Sequence, residues 1–524
     1  MIQILFGVLA LAFYLRFKGI TYGMPYMLLP DEAHNMTKIF YLSKSFLTYI
    51  QQVNYFDTTQ LFVLFNSIIA YFNTGTFNTS ILLEKAEFFP QILYIPLRFC
   101  SIFFGVGAVL VIYFIGLIFS PIVAILSSSF LAVSVLHIKY SQIFLPYSGM
   151  CFFTLLSTLC LLKSKTTNSE KLFVLSIVFS FLSSSFHLIG LISIIPIFLF
   201  CGDLLSIKRL KSIFIIYFSL FSLLNINFIF HFFDFIRYLF KTYIDQYNIF
   251  PSSSHLLYLI SLIPVGVGPV VYLTFFFLFK YKNEYDNNLL KILFSVPLLC
   301  LAFIGFFHLT EASYGVLLVP YICLGSALVF AALFKNKDEK ARFVFILLIL
   351  FALWIPLKYT MRYNKLLRLS DTRVLASEWI RENTTENYRV VWDKHSIQLN
   401  WFDAYNKHDL LSLGIDKESL INKQQFTITK KFLKQKKWFQ TLRKKTDYVV
   451  VNSLDIKKAF HESGHDLEKK YYKKILKLKP IVVFDPNYIQ AKLNRKCTLE
   501  ELYSPLKTLW KRERMGPVVK IYEL

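Results

Sequence analysis

Long apolar runs separated by short polar connections fill the first roughly 360 residues, and two of them, 92 to 118 (ILYIPLRFCSIFFGVGAVLVIYFIGLI) and 256 to 279, carry at most one charge each. About 20 such residues span a hydrocarbon core, and a lone spanning segment must satisfy its own backbone hydrogen bonds, so these runs predict membrane helices. Basic clusters recur between them: Lys163, Lys165 and Lys171; Lys208, Arg209 and Lys211; Lys280, Lys282 and Lys291; Lys335, Lys337, Lys340 and Arg342. The positive-inside rule places all four on the cytoplasmic side. Two of the clusters flank the run 172 to 201, which must then cross twice, as a hairpin turning near His187 and Gly190. The pattern predicts helices near 2 to 17, 92 to 118, 121 to 138, 144 to 162, 172 to 186, 188 to 201, 211 to 231, 256 to 279, 290 to 308, 314 to 334 and 343 to 360. Eleven crossings from a cytoplasmic N-terminus put the tail outside.

Two outer segments break the rhythm. Residues 19 to 90 are too long for a simple connection and contain amphipathic stretches such as TTQLFVLFNSIIAYF, which read as helices lying in the interface. Residues 232 to 255 form a shorter outer loop carrying Arg237 and Lys241. From 361 to 524 the pattern changes to one helical stretch, SDTRVLASEWIREN, followed by strand-like YRVVW, YVVVN, PIVVF and PVVKIY. That alternation predicts a small soluble α/β domain after a transmembrane domain of residues 1 to 360. There is no internal repeat.

Composition agrees: 55% of residues are hydrophobic, and 56 Phe stand against 18 Gly, a balance too apolar for a soluble chain of 524 residues. The net charge of +24 belongs with cytoplasmic loops and anionic headgroups rather than with nucleic acid. Six of the seven cysteines lie in apolar segments and only Cys497 lies in the tail, so the tail has no internal disulfide. The N-terminal run lacks a basic start and a small-residue cleavage site and reads as a retained first helix. Arg16 and Lys18, at the outer end of that helix, run against the charge rule, which points to work there against phosphate.

The chemistry concentrates just after the first helix, in GITYGMPYMLLPDEAHNMTKIFYL. Pro30 can open a helix, and acidic residues in its first turn suit the helix dipole. On such a helix Asp31, His34, Asn35 and Lys38 share one face, while Glu32 points about 100° away. Such a face fits transfer from a lipid-linked phosphate, with Asp31 taking the acceptor proton and His34 or Lys38 holding the phosphate. The plain alternative is an acidic helix start beside a solvated face.

YLRFKGITYGMPYMLLPDEAHNM resembles the opening of the GT-C superfamily, specifically bacterial glycosyltransferases of family 39 type, relatives of protein O-mannosyltransferases and of the aminoarabinose transferase that modifies lipid A. Arg16, Gly19, Asp31 and Glu32 match family positions, the Asp being the proposed base or acceptor-binding carboxylate; His34 stands where the aminoarabinose transferases have a phosphate-binding Arg. Arg98 in the second helix and His137 at the third-to-fourth turn match as well, and DTRVLASEWIREN and GPVVKIYEL resemble the outer domain of these enzymes. The chain departs from the pattern at Tyr147, where relatives have Asp, at Lys139, where they have Arg, and at Ser313, where they have Arg before the retained Tyr314. A second carboxylate for metal or acceptor is thus absent from its expected place, leaving open a shifted substrate or an inactive member.

The resemblance implies an inverting transfer of a sugar from a polyprenyl-phosphate donor to a lipid, glycan or protein acceptor at the outer face of a bacterial cytoplasmic membrane. Asp31 and Glu32 are then the catalytic candidates, and Arg16, His34, Arg98, His137, Lys139, His187 and Tyr314 the donor-phosphate candidates. It implies no fixed cofactor beyond an optional divalent metal. Two other readings stand beside it. A transporter of lipid-linked sugars would favour paired charges at mid-membrane. A tethered zinc protease would use His461, Glu462 and His465, which satisfy H-E-x-x-H, although Gly464 and flanking charges argue for a solvated turn. Arg237 and Lys241 read as snorkelling side chains, and His187 reads equally as a helix cap. The sequons at Asn35, Asn78 and Asn383 carry no meaning in a bacterial host.

Overall fold

The computed structural model describes every residue except 53–59, 201–214, 216, 220, 223–224, 226–229, 241–253, 307–311, 336–338, 385–387, 394, 400, 406, 414–424, 428–429, 436, 462–464 and 488–505. Contacts divide the chain into one unit of Met1–Ile20, Lys38–Leu83 and Ile92–Met361, and another of Thr21–Thr37, Glu84–Gln91 and Arg362–Leu524.

In the first unit, the apolar runs are helices. Among the described residues five are long and apolar enough to cross a membrane, including Pro90–Leu117, Tyr147–Thr167 and Ala312–Lys335. The chain is a multi-pass membrane protein. The run 256 to 279 is interrupted at Gly268 into Ser254–Val267 and Pro269–Phe276. Gly268 has φ +96°, a conformation side chains resist, and a Cβ there would sit 3.0 Å from Pro356. The run 172 to 201 turns after Ser184 into a 3₁₀ segment Leu188–Ser193 and the helix Ile194–Phe200. Gly190 closes that turn: a Cβ would lie 2.5 Å from the Ser183 carbonyl carbon. In the segment 19 to 90 the amphipathic stretch forms the helix Gln60–Thr74. More than half of the expected span 211 to 231 lies outside the described residues.

The run 121 to 138 is not one straight span. It bends by 63° between Pro121–Val133 and Val135–Ser141, with Ser134 extended at ψ 113° and neither proline nor glycine at the bend. Side chains from elsewhere make the bend affordable by taking the carbonyls it releases. Arg16 donates to Leu131 O at 3.3 Å and Ala132 O at 3.2 Å, and Thr360 donates to Val133 O at 2.9 Å. Ser134 itself donates to Gly266 O at 2.9 Å. In hydrocarbon each such carbonyl left bare costs several kcal/mol. Leu15, Val133 and Ile138, with Leu353 and Leu357, pack around the joint.

The second unit holds a five-stranded sheet of order β2-β1-β3-β5-β4. Its strands are β1 (Val390–Trp392), β2 (Gln425–Thr427), β3 (Tyr448–Asn452), β4 (Val482–Phe484) and β5 (Val519–Glu523). β1 pairs in parallel with β2 and β3, whereas β5 runs antiparallel to β3 and β4. Period-2 alternation divides the strand residues between two cores. Val390, Trp392, Val450 and Ile521 pack with Ala376 and Ile380 of the helix Thr372–Asn383. Val391, Val449, Val451 and Tyr522 pack on the other face with Leu442, Tyr471 and Ile475. Four strands coincide with the expected segments. β2 was missed because its QFT lies in the otherwise polar stretch INKQQFTITKK, too short an alternation to stand out.

Candidate functional site

The helix after the first span runs Pro30–Lys44, with Asp31 and Glu32 in its first turn. Asp31 is exposed and His34 half-buried, but Glu32, Asn35 and Lys38 are all at most 2% exposed. The solvated-face reading therefore fails for this helix. Buried charges of this kind require partners, and none of these residues lacks one.

The loop leading into this helix is held by the DTR segment. Asp371 caps the helix Thr372–Asn383 by accepting from the Arg373 amide at 2.9 Å. Its carboxylate also accepts from Arg373 Nε at 2.9 Å, Arg373 Nη2 at 2.8 Å and the Tyr22 hydroxyl at 2.8 Å. Arg373 Nη1 then donates to Leu28 O at 3.0 Å, and Gln398 bonds both the Met27 amide and carbonyl, at 3.0 and 2.8 Å. Burial alone pushes the Asp371 carboxyl up. The Arg373 charge, its hydrogen bonds and the Tyr22 hydroxyl outweigh that and hold it below the usual carboxylate range. The Tyr22 phenol is kept protonated by burial and by the Asp371 charge. Gly516, at φ +101°, lies so near that a Cβ would come within 2.4 Å of Asp371 Oδ1.

The membrane unit gathers the other expected residues into two groups. In the first, Arg16 Nη2 donates to His137 Nδ1 at 2.8 Å, and Arg16 Nη1 also donates to Ala12 O at 2.9 Å. With its bonds at the bend, all four Nη hydrogens are engaged, so Arg16 staples the bend and orients His137. The bond leaves the His137 proton on Nε2, which meets no partner among the described residues. In the second group, Lys139 Nζ lies 4.7 Å from the Tyr140 ring centroid. Tyr140 stacks edge-on to Tyr147 at 5.6 Å, and Tyr147 lies 5.0 Å from the His187 ring and 6.3 Å from Tyr314. His187 Nδ1 also accepts from the Ile189 amide at 3.3 Å, so it serves as cap and cluster member at once. Arg98, 1% exposed, donates to Ile20 O at 2.7 Å. Tyr140 and Tyr147 were not foreseen as members of this cluster; the one signal was that Tyr147 replaces a family Asp.

Other expected sites do not assemble. His461 ends the helix Ser453–His461 while His465 precedes the helix Asp466–Ile475 and pairs with Glu468 at 3.5 Å, so the two imidazoles do not share a helix; Glu462 lies outside the described residues. No group of three or more His, Cys, Asp or Glu placed to hold a metal exists among the described residues. Arg237 is exposed and meets Asp234 at 3.5 Å; Lys241 lies outside the described residues. At the carboxyl ends of β1 and β3, Asn452 donates to Asp455 at 2.7 Å and to Ser396 at 3.0 Å, and its amide donates to the buried Asp393 at 3.3 Å. Burial and the Asp455 charge push the Asp393 carboxyl well above its ordinary value.

No family model and no curated relative matches the sequence. Solved structures do match. The oligosaccharyltransferase of Archaeoglobus fulgidus, crystallised with Zn and sulfate, aligns with a TM-score of 0.53 at 12% identity over 89% of this chain and 71% of that chain. AglB from the same organism, in complex with an inhibitory peptide and a dolichol-phosphate, aligns at 0.53 and 12% over 94% and 75%. ArnT from Cupriavidus metallidurans, bound to undecaprenyl phosphate, covers 98% of this chain and 97% of that one at 10% identity, with a TM-score of 0.48 that is too low to carry weight. The chain thus shares its fold with the oligosaccharyltransferase structures of Archaeoglobus fulgidus.

Proposed function

We propose that this protein transfers a sugar from a polyprenyl-phosphate-linked donor to a lipid, glycan or protein acceptor at the outer face of a bacterial cytoplasmic membrane, with inversion. The observation that carries the reading is the exposed Asp31 beside the buried Glu32, in the first turn of a helix whose leading loop is locked by Asp371 and Arg373. That a solved AglB structure is in complex with a dolichol-phosphate supports a lipid phosphate as the leaving group.

In the reaction the acceptor oxygen forms its bond to the anomeric carbon opposite the phosphate. The carbon–oxygen bond to phosphate breaks with its electron pair going to the lipid phosphate, and the acceptor proton passes to Asp31. A single displacement needs no covalent glycosyl-enzyme. Arg98, Lys139, His187 and Tyr314 are assigned to the lipid phosphate and the sugar, with His137 oriented by Arg16. No step is assigned to a metal.

Asp31→Asn should abolish transfer by the purified chain from polyprenyl-phosphate sugar, read by mass spectrometry, while insertion and melting temperature stay unchanged because the side chain is exposed. Retained transfer sinks the assignment. Mass spectrometry of glycolipids and glycoproteins from a deletion strain then identifies the acceptor.

A further inference from the structure

The outer-domain helices Trp438–Lys445 and Asp466–Ile475 pack on one face of the sheet, burying Leu442, Tyr471, Tyr472 and Ile475. Their exposed residues are mostly cationic, Arg443, Lys444, Lys445, Lys470, Lys473 and Lys474 standing with Gln440 and Asp466. Between 430 and 480 sixteen Lys and Arg stand against five Asp and Glu, a net of +11 within a chain whose total is +24. Lys474 Nζ lies 5.0 Å from the Phe439 ring centroid and 5.3 Å from that of Trp438, and the Arg443 guanidinium lies 5.9 Å from Phe439. Cations from two helices therefore converge on one half-buried aromatic pair. Arg443, Lys473, Lys474 and Lys477 are exposed, and none of them forms an ion pair among the described residues. Uncompensated like charge at this density works against the folded state unless an anionic partner offsets it.

We propose that this face docks on anionic phospholipid headgroups. Two features favour a bilayer over a soluble polyanion. Leu476, 37% exposed, lies beside Lys473, Lys474 and Lys477 at the end of the helix Asp466–Ile475, and Trp438 and Phe439 lie half-open beneath the cations; exposed apolar groups bordered by basic ones suit the boundary between headgroups and acyl chains. The domain is also tethered to a bilayer, because the chain enters it from the 29-residue helix Glu339–Leu367, which raises the effective headgroup concentration. The inference stands apart from glycosyl transfer and does not need it.

The test is amide hydrogen exchange of the full chain in lipid nanodiscs. In discs containing phosphatidylglycerol, residues 438–445 and 466–475 should exchange more slowly than in discs of phosphatidylcholine alone, and high salt should remove the difference. The exposed substitutions Lys473→Gln, Lys474→Gln and Lys477→Gln should each weaken the docked state by roughly fivefold, with the melting temperature unchanged. Should a variant fail to fold, the salt dependence of the unaltered chain decides alone. Equal exchange in both discs overturns the proposal. So does equal slowing in phosphatidylcholine discs by inorganic phosphate, which would mark a free-anion site, or by a single-stranded oligonucleotide, which would mark a nucleic-acid surface.

Discussion

Replacing Asp371 by Asn keeps an oxygen to cap the helix Thr372–Asn383 but removes the charge that faces Arg373. Arg373 is 4% exposed and Asp371 2%, so the guanidinium is left buried against neutral amide and phenol groups. Breaking one side of a buried pair costs about 3–5 kcal/mol. For a unit of this size each kcal/mol moves the melting temperature by ~2–4 °C, so Asp371→Asn should melt roughly 10 °C lower. The double variant Asp371→Asn with Arg373→Met removes both charges and should recover much of that loss, with a coupling on the order of 2–3 kcal/mol. The assay is thermal unfolding in detergent by tryptophan fluorescence, with hydrogen exchange of Thr21–Leu29 as the local readout. Because the native Asp371 carboxyl titrates below its ordinary value, its contribution is present above the unfolded value of about 3.9 and is lost as pH falls through the native one. The deficit of the Asn variant should therefore shrink on acidification below that range. A single variant that melts like the parent, or a double variant as poor as the two singles combined, would refute the clamp.

Two further outcomes follow from the geometry. Arg16→Met leaves the carbonyls of Leu131 and Ala132 without their donor, so it should lower the melting temperature by an amount equivalent to several kcal/mol; a loss of transfer with unchanged melting would instead return Arg16 to the phosphate. Asp393→Asn tests the buried carboxyl whose native value is raised by burial and by Asp455. A raised native value adds stability that is full below about pH 3.9 and fades as pH rises, so the variant should gain on the parent in melting temperature between acid and neutral pH. A parallel pH dependence for the two proteins would contradict it.

The spans were legible where one apolar run served one helix, as in Pro90–Leu117, because hydrophobic length alone decides that element. The bend at Ser134 was not legible. Nothing in LAVSVLHIK breaks a helix locally, and the donors that permit the bend come from Arg16 and Thr360, far away in sequence. The same limit hid the second group of aromatic rings: Tyr140 was not singled out, and Tyr147 read only as a departure from a family Asp until packing brought it beside Tyr140, His187 and Tyr314. Periodicity correctly set Asp31 and Glu32 on different sides of one helix, but only packing could bury Glu32, Asn35 and Lys38. In the H-E-x-x-H match the spacing of the side chains did not disclose that His465 stands outside both neighbouring helices, Ser453–His461 and Asp466–Ile475.

The stapled bend also constrains the order in which the protein is made. Val133 waits for a hydroxyl that lies 227 residues further along the chain, which at ribosomal speeds of ~5–20 residues per second is a delay on the order of 10–45 s. During that interval the segment from Leu131 to Val133 has Arg16 but not Thr360, and its bent form is incompletely sealed. The nascent span must therefore either stay straight until the last membrane helix arrives or keep its open carbonyl in contact with water or the insertion machinery. Maturation of this region becomes a late step, and a chain truncated before residue 360 would expose a bilayer-embedded polar wound to quality control.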